Sequence, residues 1–175
     1  QSLFISLKQI VPDAEIHVLA PGWCKALLEH MPQVSRAIEM TIGHGELAIG
    51  RRRALASSLK QENYDQAIVL PNSFKSALIP WFADIPVRTG WRGEARSWLL
   101  NDCRVLDKQS YPLMVERFIA LAHPDKANLP SPLPRPSLEV STEAFTPLLE
   151  KLSLDTQKPV LILCPGAEFG EAKKW

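Results

Sequence analysis

The chain has 175 residues, of which 46% are hydrophobic and 22% charged, which is typical of a folded globular protein and not of a disordered one. Its formal net charge of +1 argues against a generic nucleic-acid-binding protein, and it contains no apolar run of about 18 residues that would span a membrane. Three widely spaced cysteines without a CxxC pair favour reduced thiols and a cytoplasmic location.

Periodicity and turn residues predict helices and strands in close succession along the chain. In chain order we expect a helix over 1–11, a strand over 15–20, a helix over 23–30, a weaker strand over 35–42, a helix over 46–62 with Ala48, Leu55 and Leu59 inward, a strand over 67–70, a helix over 74–82 interrupted near Pro80, a strand over 87–90, a helix over 112–122, a helix over 142–152 and a buried strand over 160–164. Such alternation produces right-handed crossovers and a parallel sheet, so the sequence predicts an α/β fold.

The order of these elements predicts two domains. Residues 1–123 form an α/β domain that lacks its opening strand, because the chain begins inside a helix at Gln1. Residues 124–141 contain five prolines, which predicts a semi-rigid linker. Residues 142–175 then begin a second α/β domain that stops at Trp175, so we expect an internal fragment of a longer protein.

A polar turn follows the strand at residues 67–70 and leads directly into a helix. Ser73 is expected to cap that helix with its hydroxyl, and Asn72 lies beside it in the turn. Free N–H groups at a helix N-terminus favour an anion, and Lys75 adds a full positive charge. Taken alone, the stretch is more typical of an ordinary strand-to-helix connection than of a binding site, and the second polar turn described next favours the binding site.

A second polar turn, RTGWRGE, begins about twenty residues later and belongs to a cluster of arginine and tryptophan. The cluster contains Arg88, Arg92 and Arg96 with Trp91 and Trp98. Guanidinium groups suit phosphate or carboxylate, and flat rings suit the apolar faces of sugars. A tryptophan packed in the core under snorkelling arginines explains the same pattern, and the two interpretations carry equal weight here.

Other motifs give weaker signals. Residues 51–104 carry nine Lys/Arg against five Asp/Glu, so a local basic face is expected. The three arginines at 51–53 fan around the predicted helix, so they cannot all face one ligand. No GxGxxG, P-loop, HExxH or His/Cys cluster is present, so neither a dinucleotide fingerprint nor a metal site is predicted. His44, between two glycines, is the best of four scattered histidines, whereas His17 fits a partly buried structural role.

The final loop, CPGAEFGEAKKW, follows the predicted buried strand at residues 160–164. Glycines such as Gly166 let the backbone approach a ligand, and Lys173 or Lys174 can meet a phosphate. This loop therefore favours a nucleotide-phosphate site at the carboxyl end of a strand.

Five segments together resemble the family of ADP-heptose:lipopolysaccharide heptosyltransferases, and they occur in the same order. These segments are LPNSFKSAL, RTGWRGE, LLNDCRVLD, PLMVERFIALA and CPGAEFGEAKKW. The resemblance implies a GT-B fold, with two Rossmann-like domains facing across a cleft. It also implies an inverting, metal-independent transfer of heptose from ADP-heptose to the heptosyl-Kdo inner core of lipid A, without a cofactor, by a cytoplasmic protein peripheral to the inner membrane.

The resemblance assigns roles only to positions that match the family pattern. It implies donor-phosphate contacts for Lys173 and Gly166. It implies an acceptor-side position for both polar turns, at Asn72, Ser73, Lys75, Arg88 and Arg92. The family's general-base Asp lies in a glycine-rich loop that is expected upstream of Gln1, so no catalytic residue is assigned within these 175 residues.

Two alternatives remain open from the sequence. One is a non-catalytic sugar- or anion-binding module. The other is a nucleotide-binding oxidoreductase whose glycine-rich loop lies outside the chain.

Overall fold

The computed structural model describes residues 1–43, 45–154, 157 and 161–163, with only the backbone of residues 142–145. The chain divides into two compact units, Gln1–Glu139 and Val140–Trp175. Within the described residues, no helix is both long enough and apolar enough to cross a bilayer.

The first unit alternates strands and helices in the predicted order. Its elements are α1 (Ser2–Ile10), β1 (His17–Ala20), a 3₁₀ turn (Gly22–Cys24) leading into α2 (Lys25–Glu29), β2 (Arg36–Glu39), α3 (Ile49–Lys60), β3 (Gln66–Val69), α4 (Phe74–Phe82), β4 (Val87–Trp91), β5 (Asp102–Arg104) and α5 (Met114–Ile119) with a 3₁₀ extension (Ala120–Ala122). The predicted α/β class is therefore confirmed. The short strand β5 was not predicted, because its sequence DCR carries no apolar run.

The strands of the first unit form two parallel sheets. β1 pairs with β2, and β3, β4 and β5 pair in that order. In the second sheet, Val69 of β3 lies opposite Gly90 of β4. Because the strands are parallel, the segments that leave β3 and β4 emerge at the same carboxyl edge.

One apolar core lies between helices α3 and α4 and the strands of both sheets. Ala56, Leu59 and Ile79 are buried at its centre, and Leu19 of β1 and Ile38 of β2 pack against the same cluster. Both sheets are thus held by the same pair of helices.

Helix α3 differs from its predicted inner face. Leu59 is buried and Leu55 packs partly buried against the same core, as predicted, but Arg52 and Ala56 are buried as well and Ala48 is not. Ala48 adopts a left-handed conformation with φ of 41° and precedes the helix. Arg52 is buried because its guanidinium bonds the backbone carbonyls in front of the helix, which removes the cost of burying those donors.

Pro80 does not interrupt α4, contrary to the prediction. The helix runs through it from Phe74 to Phe82, and Leu78, Ile79 and Pro80 are all buried. A proline removes one backbone hydrogen bond from a helix, and burial of this apolar turn against the sheet offsets that loss.

The proline-rich segment belongs to the first unit and not to a free linker, so this unit extends beyond the predicted boundary at residue 123. The Gln1 side chain donates to the carbonyl of Ser137 at 2.5 Å and accepts from its N–H at 3.0 Å. The Glu139 N–H donates to the His30 carbonyl at 2.9 Å. These contacts fasten the segment to α1 and to the end of α2.

In the second unit, the described residues show one helix, α6 (Thr142–Lys151), as predicted. The prediction of a buried strand over 160–164 is wrong for residues 161–163, which are the part of it that the structure describes. Leu161, Ile162 and Leu163 lie outside any strand and are 83%, 79% and 71% exposed. An apolar run forms a buried strand only when neighbouring strands pair with it, and no strand is assigned in the described residues of this unit.

Candidate functional site

Two polar turns lie side by side at the carboxyl edge of the second sheet. One comprises residues 70–73 between β3 and α4, and the other comprises residues 92–95 after β4. We call this pair the two-turn edge. Ligands of open α/β sheets bind at this kind of edge, so it is the candidate functional site of the first unit.

The two turns contact each other through backbone and side chain. The Glu94 N–H donates to the Asn72 carbonyl at 3.2 Å. The Glu94 carboxylate accepts the Phe74 N–H at 3.0 Å. A Cβ placed on Gly93 would overlap the Asn72 carbonyl oxygen, so only glycine permits this approach.

Glu94 takes the role that the sequence assigned to Ser73. Ser73 occupies the N-cap position of α4 with extended backbone angles, but its hydroxyl makes no capping hydrogen bond. The Glu94 carboxylate accepts the first N–H of the helix instead. An anion therefore does lie at this helix end, as the dipole favours, but the protein supplies it.

Arg96 lies fully buried beneath the two-turn edge and joins its parts. Its Nη1 donates to the Pro71 carbonyl and to the Ser76 hydroxyl, and its Nη2 donates to the Asn72 amide oxygen at 3.1 Å and to the Trp91 carbonyl at 2.6 Å. Its exposed fraction is 0%. One planar side chain thus ties the end of β4 to the turn after β3.

The four acceptors of Arg96 are uncharged, which distinguishes it from most buried arginines. Burial lowers the pKa of the Arg96 guanidinium, while the neighbouring Cys103 and Glu94 side chains act in the opposite direction. Among the described residues Arg96 forms no ion pair with a carboxylate, and its Nε is buried without a hydrogen-bond partner. Its positive charge is therefore not neutralised by a direct ion pair under the edge.

The structure brings four of the predicted acceptor-side residues together and separates the fifth. Asn72, Ser73, Lys75 and Arg92 lie in the two turns or in the first turn of α4. Arg88 lies near the opposite end of β4, where its guanidinium donates to the carbonyls of Ile85 and Leu99 at 2.5 and 2.7 Å. The structure therefore does not place Arg88 at the edge.

Trp91 is a core residue and not a sugar platform. It is 3% exposed, and its indole N–H donates to the Arg117 carbonyl at 3.0 Å. Trp98 is 62% exposed and packs against Phe74 and Trp81, with ring centroids 6.1 and 5.6 Å apart. The exposed aromatic surface of the region therefore lies beside α4.

The other residues singled out in the sequence do not come together as a second binding site among the described residues. His17 is half-buried and its Nδ1 lies 2.7 Å from the Tyr64 hydroxyl, which fits the predicted structural role. Of the arginine triplet, Arg52 is buried, while Arg51 pairs with Glu46. No group of three or more His, Cys, Asp or Glu side chains that would suit a metal occurs in the part of the chain that the structure describes. Gly166, Lys173, Lys174 and His44 lie outside the described residues.

The roles of Glu94 and Arg96 were not predicted from the sequence. Both lie within or next to the RTGWRGE turn, but their partners are about twenty residues earlier in the chain. Nothing in the local pattern of either segment indicates which of several arginines turns inward.

Comparison with known proteins identifies the family. The model of glycosyltransferase family 9 (heptosyltransferase) matches residues 52–175. The chain belongs to glycosyltransferase family 9. Because this family consists of glycosyltransferases, the result removes the alternative of a nucleotide-binding oxidoreductase.

Named heptosyltransferases resemble the chain along its whole length. It is 55% identical to lipopolysaccharide heptosyltransferase 2 of Salmonella typhimurium, over 100% of the chain and 52% of that protein. It is 48% identical to lipooligosaccharide heptosyltransferase 2 of Haemophilus influenzae, over 99% of the chain and 52% of that protein. The chain therefore spans about half the length of these relatives.

A solved structure supports the GT-B assignment. The structure of Escherichia coli ADP-heptose lps heptosyltransferase II aligns with the chain with a TM-score of 0.86 and 52% identity. The alignment covers 99% of the chain and 52% of that protein. The parallel α/β architecture thus matches part of a GT-B heptosyltransferase.

Proposed function

We propose that this chain is part of an enzyme that transfers a heptose from ADP-heptose to the heptosyl-Kdo inner core of lipid A in lipopolysaccharide biosynthesis. The observation that carries the proposal is the 55% identity to lipopolysaccharide heptosyltransferase 2 over the whole chain. At that sequence identity, we expect the chain to share with this relative both the residues of the apolar core and the polar segments that surround a substrate.

The two-turn edge supports an acceptor-side role for the first unit. Asn72 and Arg92 lie in its turns and Lys75 lies in the first turn of α4, at a sheet edge where ligands bind. These groups suit the carboxylates, phosphates and hydroxyls of an inner-core oligosaccharide. Arg88 is the weakest member of the proposed acceptor set, because its guanidinium is bound to backbone carbonyls.

The proposed reaction divides its chemistry between parts of the protein. A general-base Asp, expected in a segment upstream of Gln1, accepts the proton of the acceptor hydroxyl as its oxygen attacks the anomeric carbon with inversion. The ADP leaving group departs with its negative charge stabilised by cations, for which we propose Lys173 and the backbone near Gly166, without a metal or cofactor. We also propose that the protein acts at the cytoplasmic face of the inner membrane, because its acceptor is a lipid.

The proposal is tested by measuring radiolabelled heptose transfer from ADP-heptose to heptosyl-Kdo-lipid A. We expect no transfer by the 175-residue chain alone and metal-independent transfer, insensitive to EDTA, by a longer protein that contains it. Lys173→Ala in the longer protein is expected to raise the KM for ADP-heptose, with Lys151→Ala, on α6, as the control. Transfer by the chain alone contradicts the division of roles, and no transfer by the longer protein contradicts the function.

A further inference from the structure

Two buried arginines of the first unit differ in what they bind. Arg104 is 8% exposed and forms a paired contact with the Asp102 carboxylate, with Nε to Oδ1 at 3.0 Å and Nη2 to Oδ2 at 2.6 Å. Its remaining contacts are to carbonyls of Ala120 and His123. Arg104 is thus neutralised in place and joins β5 to the end of α5.

Arg96 is more deeply buried and binds uncharged groups only. Its four hydrogen bonds reach the last residue of β4, both residues 71 and 72 of the turn after β3, and Ser76 of α4. A protein does not ordinarily bury an arginine without a carboxylate, because desolvation of the charge is costly. The position of this charge under a polar surface indicates that the Arg96 guanidinium has a functional role.

We propose that Arg96 is a positioning residue for the acceptor, fixing the two turns against each other and placing positive charge beneath the surface that receives an anionic acceptor group. This inference rests on the function proposed above. Asn72 is the direct link, because its side-chain oxygen is bound by Arg96 while its backbone carbonyl is bound by the Glu94 N–H.

The shape of the guanidinium explains why this position requires arginine. Its planar fork reaches acceptors on two sides at once, whereas a lysine ammonium is a point charge with three donors. Lys at position 96 would keep the charge but lose contacts to one of the two turns. Gln at position 96 would keep a donor but lose the charge. Comparing the two substitutions separates the geometric effect from the electrostatic one.

The experiment uses the longer protein with Arg96→Lys, Arg96→Gln and the matched control Arg104→Lys, each shown to be folded by circular dichroism at the assay temperature. We expect Arg96→Lys to raise the KM for heptosyl-Kdo-lipid A about tenfold, the size of losing one hydrogen bond to a charged group. Arg96→Gln should raise it further, and the KM for ADP-heptose should stay within about twofold in all three. Arg104→Lys should lower thermal stability without changing the acceptor KM.

Hydrogen exchange of the same variants provides a readout that does not depend on transfer. We expect faster exchange confined to peptides covering residues 71–74 and 92–95 in both Arg96 variants, and unchanged exchange there in Arg104→Lys. An acceptor KM that changes no more in Arg96→Lys than in Arg104→Lys overturns the inference while the proposed function stands. Absence of transfer by the unaltered protein overturns the function and the acceptor role together, and unchanged exchange at the turns overturns the positioning role by itself.

Discussion

Gly93 controls how closely the two turns of the candidate site approach. Its Cα faces the backbone of Asn72 so closely that any Cβ would overlap the carbonyl oxygen. The φ of Gly93 is not in the left-handed region, so the requirement for glycine comes from space and not from backbone conformation. A residue that has no side chain can therefore determine the geometry of a polar edge.

Substituting Gly93 tests that close approach. We expect Gly93→Ala to lower the free energy of unfolding by about 1–3 kcal/mol, because backbone atoms must move apart. Gly50→Ala is the matched control, since a Cβ there meets nothing within 4 Å, and alanine in α3 should be neutral or stabilising by up to about 1 kcal/mol. The measurement is urea denaturation followed by circular dichroism. Equal effects of the two substitutions would contradict the close packing of the turns.

The cap of α4 provides a second test at the scale of single residues. We expect Glu94→Ala to reduce stability by about 1 kcal/mol, because it removes the acceptor of the Phe74 N–H. Ser73→Ala should change stability by less than about 0.5 kcal/mol, because the Ser73 hydroxyl makes no capping bond. Thermal unfolding of both variants measures the difference. A larger loss of stability in Ser73→Ala than in Glu94→Ala would show that Ser73 caps the helix, as predicted from the sequence.

At the scale of elements, polar side chains cross the second sheet as a hydrogen-bonded row. The Gln66 amide of β3 donates to the Thr89 hydroxyl of β4 at 2.8 Å, and that hydroxyl donates to Asp102 of β5 at 2.9 Å. Asp102 also accepts the fork of Arg104. The row holds together three strands that are each only three to five residues long.

The row predicts an acid-sensitive contribution to stability. The Arg104 hydrogen bonds, and next the Thr89 hydroxyl, hold the pKa of Asp102 below its usual value, while burial acts in the opposite direction. A carboxyl whose pKa is lowered on folding makes its full contribution to the stability of the protein above its unfolded-state pKa of about 3.9. That contribution is lost as the pH falls through the pKa of the carboxyl in the folded state. Stability of the unaltered protein should therefore fall more steeply below about pH 4 than stability of Asp102→Asn.

Thermal unfolding from pH 7 to pH 2.5 measures this difference. Asp125→Asn, at an exposed aspartate outside the row, should leave the steep acid loss unchanged. Parallel pH profiles of Asp102→Asn and the unaltered protein would show that Asp102 is not the group responsible.

At the scale of the whole molecule, the two sheets of the first unit share a core but no strand ladder among the described residues. All their strands are parallel within each sheet, and the same helices cover both. Such an arrangement is expected if one further strand belongs between β1 and β3. It agrees with the prediction that the first domain lacks its opening strand, which stays a prediction.

Extending the protein upstream of Gln1 tests the missing strand. We expect a version with about 20 additional native residues to gain stability in urea denaturation and to protect the backbone amides of β1 and β3 from hydrogen exchange, because edge strands gain partners. An extension of equal length in glycine and serine is the control. Unchanged protection at both strands would show that the two sheets are separate in the native protein.

The sequence by itself determined the alternation of strands and helices, the parallel α/β class and the placement of Asn72, Lys75 and Arg92 at one edge. These features depend on local periodicity and on the rule that parallel strands end at a common edge. Only the tertiary structure decided that Trp91 and Arg96 turn inward, that Glu94 replaces Ser73 as the cap and that Arg88 lies away from the edge. Those outcomes depend on contacts between segments ten to twenty-five residues apart, and a side chain's neighbours in space are not encoded in its neighbours in sequence.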